Sequence, residues 1–312
     1  MRNFIALLVI LVSSSVCFAS SADVNFHSEK SSANRGNIYR PEKSDDKELQ
    51  SLITEYLPKF KTHNYSDDVT GLNIAYSVYL PEGYSSGRKF PVVFFIADGS
   101  SAGKEPQYSL TQGLGGLIWC RHDCIVIVPS FPSIVLDDHS GFVESDYVEL
   151  AGRFVNWAVK NYNADESRVY ATGQSMGCMT FLVLSSRHPE MFTACMFVSG
   201  QWDINVLKGL EGRKFVYLAS AGDPKASAGM NEVIDMFTRD NAGKFSVFTE
   251  VDAKKPDVRL ENGQAANFIM FRKGSTLPEG TEGNYSEHMI SFDYAYRIEA
   301  VRNWLTAQKK GE

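Results

Sequence analysis

An alternation of strand-like and helix-like segments is the feature that most restricts the fold of this chain. The runs "VVFFIA" and "CIVIVP" are short and almost continuously apolar, and later strand-like runs are separated by stretches with a helical period. Strands that are apolar on both faces are typical of a parallel sheet covered by helices on both sides. The sequence therefore predicts an α/β protein with a mainly parallel sheet, helices on both faces and a single domain.

The predicted elements follow one another along most of the chain. Strands are predicted at residues 72–80, 91–97, 124–129, 168–172, 194–199, 214–220 and 266–272, and helices at residues 144–162, 176–186, 228–240 and 292–308. An earlier amphipathic helix is predicted at residues 45–59, where apolar residues recur three and four positions apart. Residues 245–263 form a polar insertion for which the pattern predicts no particular shape.

The first 22 residues predict a secretory signal peptide. Arg2 precedes a short apolar run, and small residues follow it up to the expected cleavage after Ala19 or Ala22. Cys17 lacks the preceding leucine and small residue of a lipidated cysteine, so a lipoprotein is disfavoured. No later segment reaches the roughly 18 consecutive apolar residues of a membrane-spanning helix. We therefore expect a secreted or periplasmic protein without stable membrane insertion.

Two further parts are predicted after the signal peptide. Residues 23–60 comprise a polar, mobile lead-in followed by the N-terminal helix, and residues 61–312 form the α/β domain. The net charge of −6 leaves no excess of lysine and arginine to hold a phosphate backbone, so nucleic acid is not an expected partner.

Four cysteines lie beyond the predicted signal peptide, at positions 120, 124, 178 and 195. Cys120 and Cys124 flank a short turn and could pair in an exported protein. Cys178 and Cys195 lie in apolar surroundings, where buried free thiols are the usual outcome. Because no Cys or His pair has metal-ligand spacing beside a second pair, we expect no metal site.

The pentapeptide Gly173-Gln174-Ser175-Met176-Gly177 directly follows a predicted strand and opens a predicted helix. An ordinary turn with a serine near the helix N-cap would also fit these residues. The strand–turn–helix context instead favours a nucleophile elbow, in which a strained turn exposes the serine hydroxyl. Glycines on both sides are then needed because strand and helix approach too closely for side chains.

A serine nucleophile needs a base within hydrogen-bond reach and an acid that orients the base. In a fold of this kind the order along the chain is serine, acid, histidine, and His288 is the histidine that follows the candidate acids. Asp223, just after the strand at 214–220, is the first choice for the acid. Asp203, after the preceding strand, is the alternative. The sequence thus predicts Ser175, Asp223 and His288 as catalytic residues.

Backbone amides are expected to hold the oxyanion of an acyl-transfer intermediate. One would come from Met176 at the start of a helix, and the other from Asp98, Gly99 or Ser100 in the glycine-rich segment "ADGSSAG". A flexible loop would explain those glycines almost as well.

Three residues near these positions are candidates for substrate contacts. They are Gln174, Gln201 and Trp202, which offer two amides and an aromatic ring.

Several longer motifs resemble one known family. The segments "YLPEGY", "KFPVVFFIADG", "VYATGQSMGCMT", "RHPEMFTACMFVSGQWD", "ASAGDP" and "EHMISFDYAYRIEAVRNWL" resemble secreted bacterial esterases of the α/β-hydrolase fold, related to polyhydroxybutyrate depolymerases, feruloyl esterases and predicted prolyl-oligopeptidase-like peptidases. The resemblance covers roughly residues 70–309 and implies a triad of Ser175, Asp223 and His288. Many relatives have His-Gly at the position of Asp98-Gly99, so the oxyanion loop is expected to differ.

The resemblance implies a serine hydrolase that cleaves a carboxylic ester through an acyl-serine intermediate and needs no cofactor. Small-molecule or polysaccharide-linked esters are the expected substrates, among them carbohydrate-linked acetyl or feruloyl-type esters. Two alternatives remain open: a serine peptidase that uses the same triad on an amide, and an inactive secreted binding protein on the same fold. The oligomeric state is left open as well.

Overall fold

A nine-stranded sheet lies at the centre of the computed structural model, which describes residues 37–39, 42–261, 264–281 and 283–311. The strands, labelled β1–β9 in chain order, are Lys61–Ser66, Asn73–Tyr79, Val92–Ile96, Ile125–Ser130, Val169–Gln174, Ala194–Val198, Phe215–Ser220, Phe245–Val251 and Ala266–Phe271. Two pairs of two-residue strands lie outside this sheet: Asn37–Ile38 with Tyr285–Ser286, and Leu136–Asp137 with Val143–Glu144.

The strand order across the sheet is β8-β9-β7-β6-β5-β3-β4-β2-β1. β1 pairs antiparallel with β2, and β2 antiparallel with β4, whereas all the other neighbours are parallel. The predicted mainly parallel sheet is therefore confirmed. Because β3, β5, β7 and β9 run in the same direction, the loops at their carboxyl ends open on one edge of the sheet.

Helices cover both faces of the sheet. Those in the described residues, labelled α1–α8, are Lys47–Tyr56, Tyr108–Thr111, Leu114–Leu117, Tyr147–Asn161, Met176–Arg187, Pro224–Arg239, His288–Arg297 and Glu299–Ala307. Apolar side chains of α4, α5 and α6 join one core cluster, and those of α1, α3, α7 and α8 join the other. The central strands contribute to both clusters because alternate side chains point to opposite faces. For example, all five residues of β3 are buried.

Four details differ from the sequence predictions. The polar insertion begins with β8, which extends the sheet in parallel beside β9. β1 is an additional edge strand, missed because its residues are polar and nearly all exposed. The last predicted helix is two helices, since Ile298 takes an extended conformation between α7 and α8. The first of these two helices also begins earlier than predicted, so His288 is the first residue of α7 and does not lie in the loop before it.

The four cysteines in the described part of the chain are free thiols. Cys120, Cys124, Cys178 and Cys195 are all buried. The pairing of Cys120 with Cys124, which the sequence left open, is not formed, and the Cys124 thiol instead donates to the carbonyl oxygen of Trp119 at 3.3 Å. Burial raises the pKa of the Cys195 thiol to about 12, so this group is a poor nucleophile.

The predicted signal peptide at residues 1–22 lies outside the described residues, as does the lead-in up to residue 36. None of the helices in the described part of the chain is long and apolar enough to cross a membrane.

Candidate active site

Ser175 occupies a strained turn between β5 and α5. Its backbone has φ 50° and ψ −116°, in the left-handed region that a residue with a side chain seldom adopts. A Cβ added at Gly177 would lie 1.9 Å from the carbonyl oxygen of Ile96, and one at Gly173 would lie 2.3 Å from the carbonyl carbon of Gly177. Both glycines are therefore required by the close packing of helix against strands.

Two hydrogen bonds connect Ser175, His288 and Asp223. The His288 Nε2 lies 2.8 Å from the Ser175 Oγ, and the His288 Nδ1 lies 2.5 Å from the Asp223 Oδ2. An ionised carboxylate only accepts hydrogen bonds, so the Nδ1 carries the proton and the neutral Nε2 accepts the serine hydroxyl. The three side chains come from the ends of β5 and β7 and from the first residue of α7, so the sheet edge brings together residues far apart in sequence.

Asp223 is 3% exposed and forms the N-cap of α6, where Pro224 is the first helical residue. The His288 side chain is 25% exposed, so it can meet a ligand. Asp203, the alternative acid, instead accepts from the backbone N–H and the side-chain amide of Asn205 at 3.0 and 2.9 Å. The structure thus places Asp223 beside the imidazole and holds Asp203 in its own turn.

The electrostatic surroundings favour a protonated imidazole. Burial by itself lowers the pKa of His288, but the charge and hydrogen bond of Asp223 outweigh it and raise this pKa above 6.5. The carboxylates of Asp98 and Asp138 act in the same direction. The site can therefore stabilise the imidazolium that forms when the base takes up a proton.

On the other side of Ser175, a buried carboxylate holds the loop after β3. Asp98 is 4% exposed, and it accepts from the Ser100 N–H at 3.0 Å, the Ser100 hydroxyl at 2.5 Å and the Gln174 Nε2 at 3.1 Å. Because the Ser100 amide is engaged by this carboxylate, Asp98 and Gly99 remain as candidate oxyanion donors in the loop. Gly99 lies beside Met176, since a Cβ added at Gly99 would lie 4.0 Å from the Met176 Cβ.

The first amide of α5 is available to a ligand. Gly177 donates to the carbonyl oxygen of Ala97 at 3.1 Å, and Met179 donates to that of Ser175. Within residues 42–261, the Met176 N–H has no protein acceptor. An unsatisfied amide at a helix N-terminus suits a developing negative charge.

The three candidates for substrate contacts make hydrogen bonds or packing contacts with neighbouring loops. Gln174 is 5% exposed and donates to Asp98, while the Gln201 Nε2 donates to the Asp138 carboxylate. Trp202 is 2% exposed, and its ring centroid lies 5.0 Å from that of Phe142. Phe142 is 51% exposed and offers more surface to a ligand than any of these three.

Two further groups of polar residues next to the site were missed by the sequence reasoning. Glu287, the residue before His288, is 1% exposed. Asp138 pairs with Lys225 at 2.8 Å, across 87 positions of sequence. The position of Glu287 directly before the histidine could have pointed to it. No local sequence pattern predicts that Asp138 pairs with Lys225.

Asp137, Asp138 and His139 place potential ligand atoms within 4.8 Å of one another. The ammonium group of Lys225 already neutralises Asp138, and a cation beside it would be repelled. These residues therefore have the chemistry of an ion-pair network and not that of a metal centre.

Part of the chain is similar in sequence to known esterases. The model of the Esterase family, described as "Putative esterase", matches residues 143–259. Acetylxylan esterase A of Aspergillus awamori is 28% identical over 149 residues, which are 44% of this chain and 45% of that protein. Acetylxylan esterase A of Emericella nidulans is 28% identical over 151 residues, with the same coverage. The match thus spans less than half the length of these curated relatives.

Solved structures show the fold. The crystal structure of a thermostable esterase has a TM-score of 0.65 and 19% identity, covering 81% of this chain and 64% of that one. A ferulic acid esterase has a TM-score of 0.51 and 14% identity, covering 79% of this chain and 98% of that one. The chain therefore has the α/β-hydrolase fold, and its central part matches the Esterase family.

Proposed function

We propose that the chain is a serine esterase that cleaves a carboxylic ester through an acyl-serine intermediate. The observation that carries the proposal is the hydrogen-bonded series from the Ser175 Oγ through His288 to Asp223, on a strained turn at the sheet edge. A hydroxyl so placed has a base in reach and an acid that fixes the tautomer of that base. The similarity to the Esterase family and to acetylxylan esterases supports an ester as the substrate.

In the acylation step, the His288 Nε2 takes the proton of Ser175 while the Oγ attacks the ester carbonyl carbon. The tetrahedral oxyanion is stabilised by the Met176 N–H and by the N–H of Asp98 or Gly99. When this intermediate collapses, His288 returns its proton to the oxygen of the leaving alcohol. Ser175 then carries the acyl group as an ester.

In the deacylation step, a water molecule takes the place of the alcohol. His288 removes a proton from this water as it attacks the acyl-serine carbonyl carbon, and the same amides hold the second oxyanion. His288 then protonates the Ser175 Oγ, which leaves the free carboxylic acid as product and restores the enzyme.

Carbohydrate-linked acetyl or feruloyl-type esters are the substrates that we propose, with export directed by residues 1–22. The acetylxylan esterase relatives support the acetyl ester, and the exposed aromatic ring of Phe142 is compatible with a larger acyl group or a sugar. A panel of acetyl and feruloyl esters with matched amides separates these possibilities. Faster turnover of amides than of esters would replace the esterase proposal by the peptidase alternative.

Covalent labelling with a fluorophosphonate probe tests the proposal directly. The wild type is expected to be labelled and to hydrolyse the ester panel, whereas Ser175→Ala and His288→Ala lose both properties. Ser85→Ala removes an exposed hydroxyl outside the site and serves as the matched control. Wild type that is neither labelled nor active towards any ester would contradict the proposed function.

A further inference from the structure

A second buried acid lies beside the proposed catalytic residues. Glu287 is 1% exposed, immediately precedes His288 and forms the N-cap position of α7. It lies where the end of β7, the turn leading to Asp223 and the connection after β9 come together. No role in the proton transfers described above requires it.

The Glu287 carboxylate accepts hydrogen bonds from three residues in two segments of the chain. Its Oε1 accepts from the Gly274 N–H at 2.6 Å. Its Oε2 accepts from the Ser220 hydroxyl at 3.0 Å and from the Thr276 hydroxyl. Ser220 ends β7, and the other two donors follow β9, so this one side chain joins the carboxyl ends of two neighbouring strands.

Two contacts continue from Glu287 to the residue before Asp223. The Glu287 N–H donates to the carbonyl oxygen of Gly222 at 3.0 Å. A Cβ added at Gly222 would lie 1.8 Å from the Glu287 Oε1, so only glycine allows this approach. Gly222 directly precedes Asp223, and Glu287 directly precedes His288. The contacts between Gly222 and Glu287 therefore connect the backbone on which both side chains are carried.

A buried carboxylate is costly unless hydrogen bonds or a cation compensate for lost hydration. In the described part of the chain, no lysine, arginine or histidine side chain is bonded to Glu287. The three donors alone satisfy the group, and they fix its orientation because they approach from different segments. An apolar side chain would fill the same space but would not hold these segments in one relative position.

We infer that Glu287 is a positioning residue, which joins the turn of Asp223 to the start of α7 and so holds the His288 imidazole between Asp223 and Ser175. The inference rests on the proposed function, because it assigns Glu287 a part in the same reaction. Glu287 does not touch the substrate and transfers no proton.

The main test compares Glu287→Ala with Glu287→Gln. In Glu287→Ala, kcat and the rate of fluorophosphonate labelling are expected to fall together by about 100-fold, because a displacement of about 1 Å has effects of that size. KM stays within about twofold, since no substrate contact is lost. In Glu287→Gln the amide oxygen still accepts from Gly274 and the hydroxyls rotate to accept, so most activity is retained. A folded Glu287→Ala with wild-type kcat would overturn the inference.

A buried acid far from the site provides the matched control. Asp67 lies in the turn between β1 and β2, at the edge of the sheet, is 2% exposed and pairs with Arg153 at 2.8 Å. Asp67→Ala is expected to lower Tm and to leave kcat unchanged. If both alanine variants lose kcat only in proportion to unfolded protein, Glu287 is merely structural and the inference fails.

If Glu287→Ala does not fold, milder variants test the positioning role of Glu287. Thr276→Val and Ser220→Ala each remove one hydroxyl donor to the Oε2, and together they leave Glu287 in place but loosely held. The double variant is expected to lower kcat by about tenfold at constant KM. Wild-type kcat in the folded double variant would contradict the inference.

A readout that does not depend on turnover separates this inference from the proposed function. The proton on the His288 Nδ1, shared with Asp223, gives a low-field proton signal in NMR. This signal is expected to disappear in Glu287→Ala and to persist in Asp67→Ala, even if wild type shows no esterase activity. Persistence of the signal in folded Glu287→Ala would refute the positioning role.

Discussion

Each side of Ser175 is held by a buried carboxylate, but the two carboxylates differ in where most of their hydrogen-bond donors lie in the sequence. Asp98 accepts two of its three hydrogen bonds from Ser100, two residues away in its own loop, and the third from Gln174, 76 residues away on the neighbouring strand. Glu287 bonds to Ser220 and Thr276, 67 and 11 residues away. The proposed oxyanion side thus depends mainly on a local turn, with one distant contact, whereas every hydrogen bond to the Glu287 carboxylate on the proposed acid–base side joins residues 11 or more positions apart.

This difference predicts different responses to mutation. Damage to a local turn displaces a few amides and leaves the proton-transfer residues in place. Damage on the acid–base side changes the orientation or the tautomer of the base, on which every step of the reaction depends. We therefore expect larger losses on the acid–base side than on the oxyanion side.

The largest effect is expected for Asp223→Asn. An asparagine side chain fits the same space but favours the wrong tautomer of His288, so kcat should fall by about 10⁴-fold with a small change in KM. Steady-state kinetics on the best ester of the panel measures this. Asp203→Asn is the matched control, and an equal loss in both variants would mean that the acid has been misassigned.

A smaller loss is expected for Asp98→Ala. It frees the Ser100 amide and the Gln174 side chain, so the loop that carries the proposed second oxyanion donor is no longer held. We expect kcat to fall by about 10- to 100-fold, less than on the acid–base side. Ser101→Ala is the control in the same loop, because the Ser101 hydroxyl is buried without a partner in the described residues. If Asp98→Ala loses as much as Asp223→Asn, the comparison between the two sides fails.

Asp138→Asn is expected to shift the pH profile. The Asp138 carboxylate helps to raise the pKa of His288, and its removal also leaves the charge of Lys225 uncompensated. The pKa of His288 therefore falls, more of the imidazole is neutral at acidic pH, and the acidic limb of kcat/KM moves to lower pH. Asp252→Asn, at a half-buried position just after β8, should leave the limb unchanged. A shift to higher pH would contradict this account of the charges.

The smallest effect is expected for Phe142, an exposed side chain that belongs to neither side of Ser175. Phe142 packs on Trp202 and is 51% exposed, so Phe142→Ala should raise KM by about two- to tenfold and leave kcat unchanged. Val69→Ala removes another exposed apolar side chain, in the turn between β1 and β2, and should change neither constant. A fall in kcat for Phe142→Ala would indicate that this side chain also positions the loops next to it.

Much of the fold could be predicted because its signals are local. The apolar strands and amphipathic helices lie close to their predicted positions, and the elbow pentapeptide stands between a strand and a helix as expected. The break at Ile298 was missed because residues 292–308 keep a helical pattern on both sides of it. β1 was missed since an exposed edge strand needs no apolar pattern.

The candidate site also has features that could be predicted from local signals and features that could not. Ser175, Asp223 and His288 were chosen from one motif and the order of residues along the chain, and the structure places them within hydrogen-bond distance, while their catalytic roles stay predictions. Whether Cys120 and Cys124 pair could not be predicted, because spacing alone does not determine how two cysteine side chains are oriented.

By itself, the sequence determined the layered α/β architecture, the strained turn at Ser175 and the edge at which the site forms. These depend on periodicity, on glycines at a close approach and on the common direction of parallel strands. Only the tertiary structure decided which polar groups hold that site. Glu287 with Ser220, and Asp138 with Lys225, are paired across long stretches of chain, and such partners are defined only once the strand ends have come together.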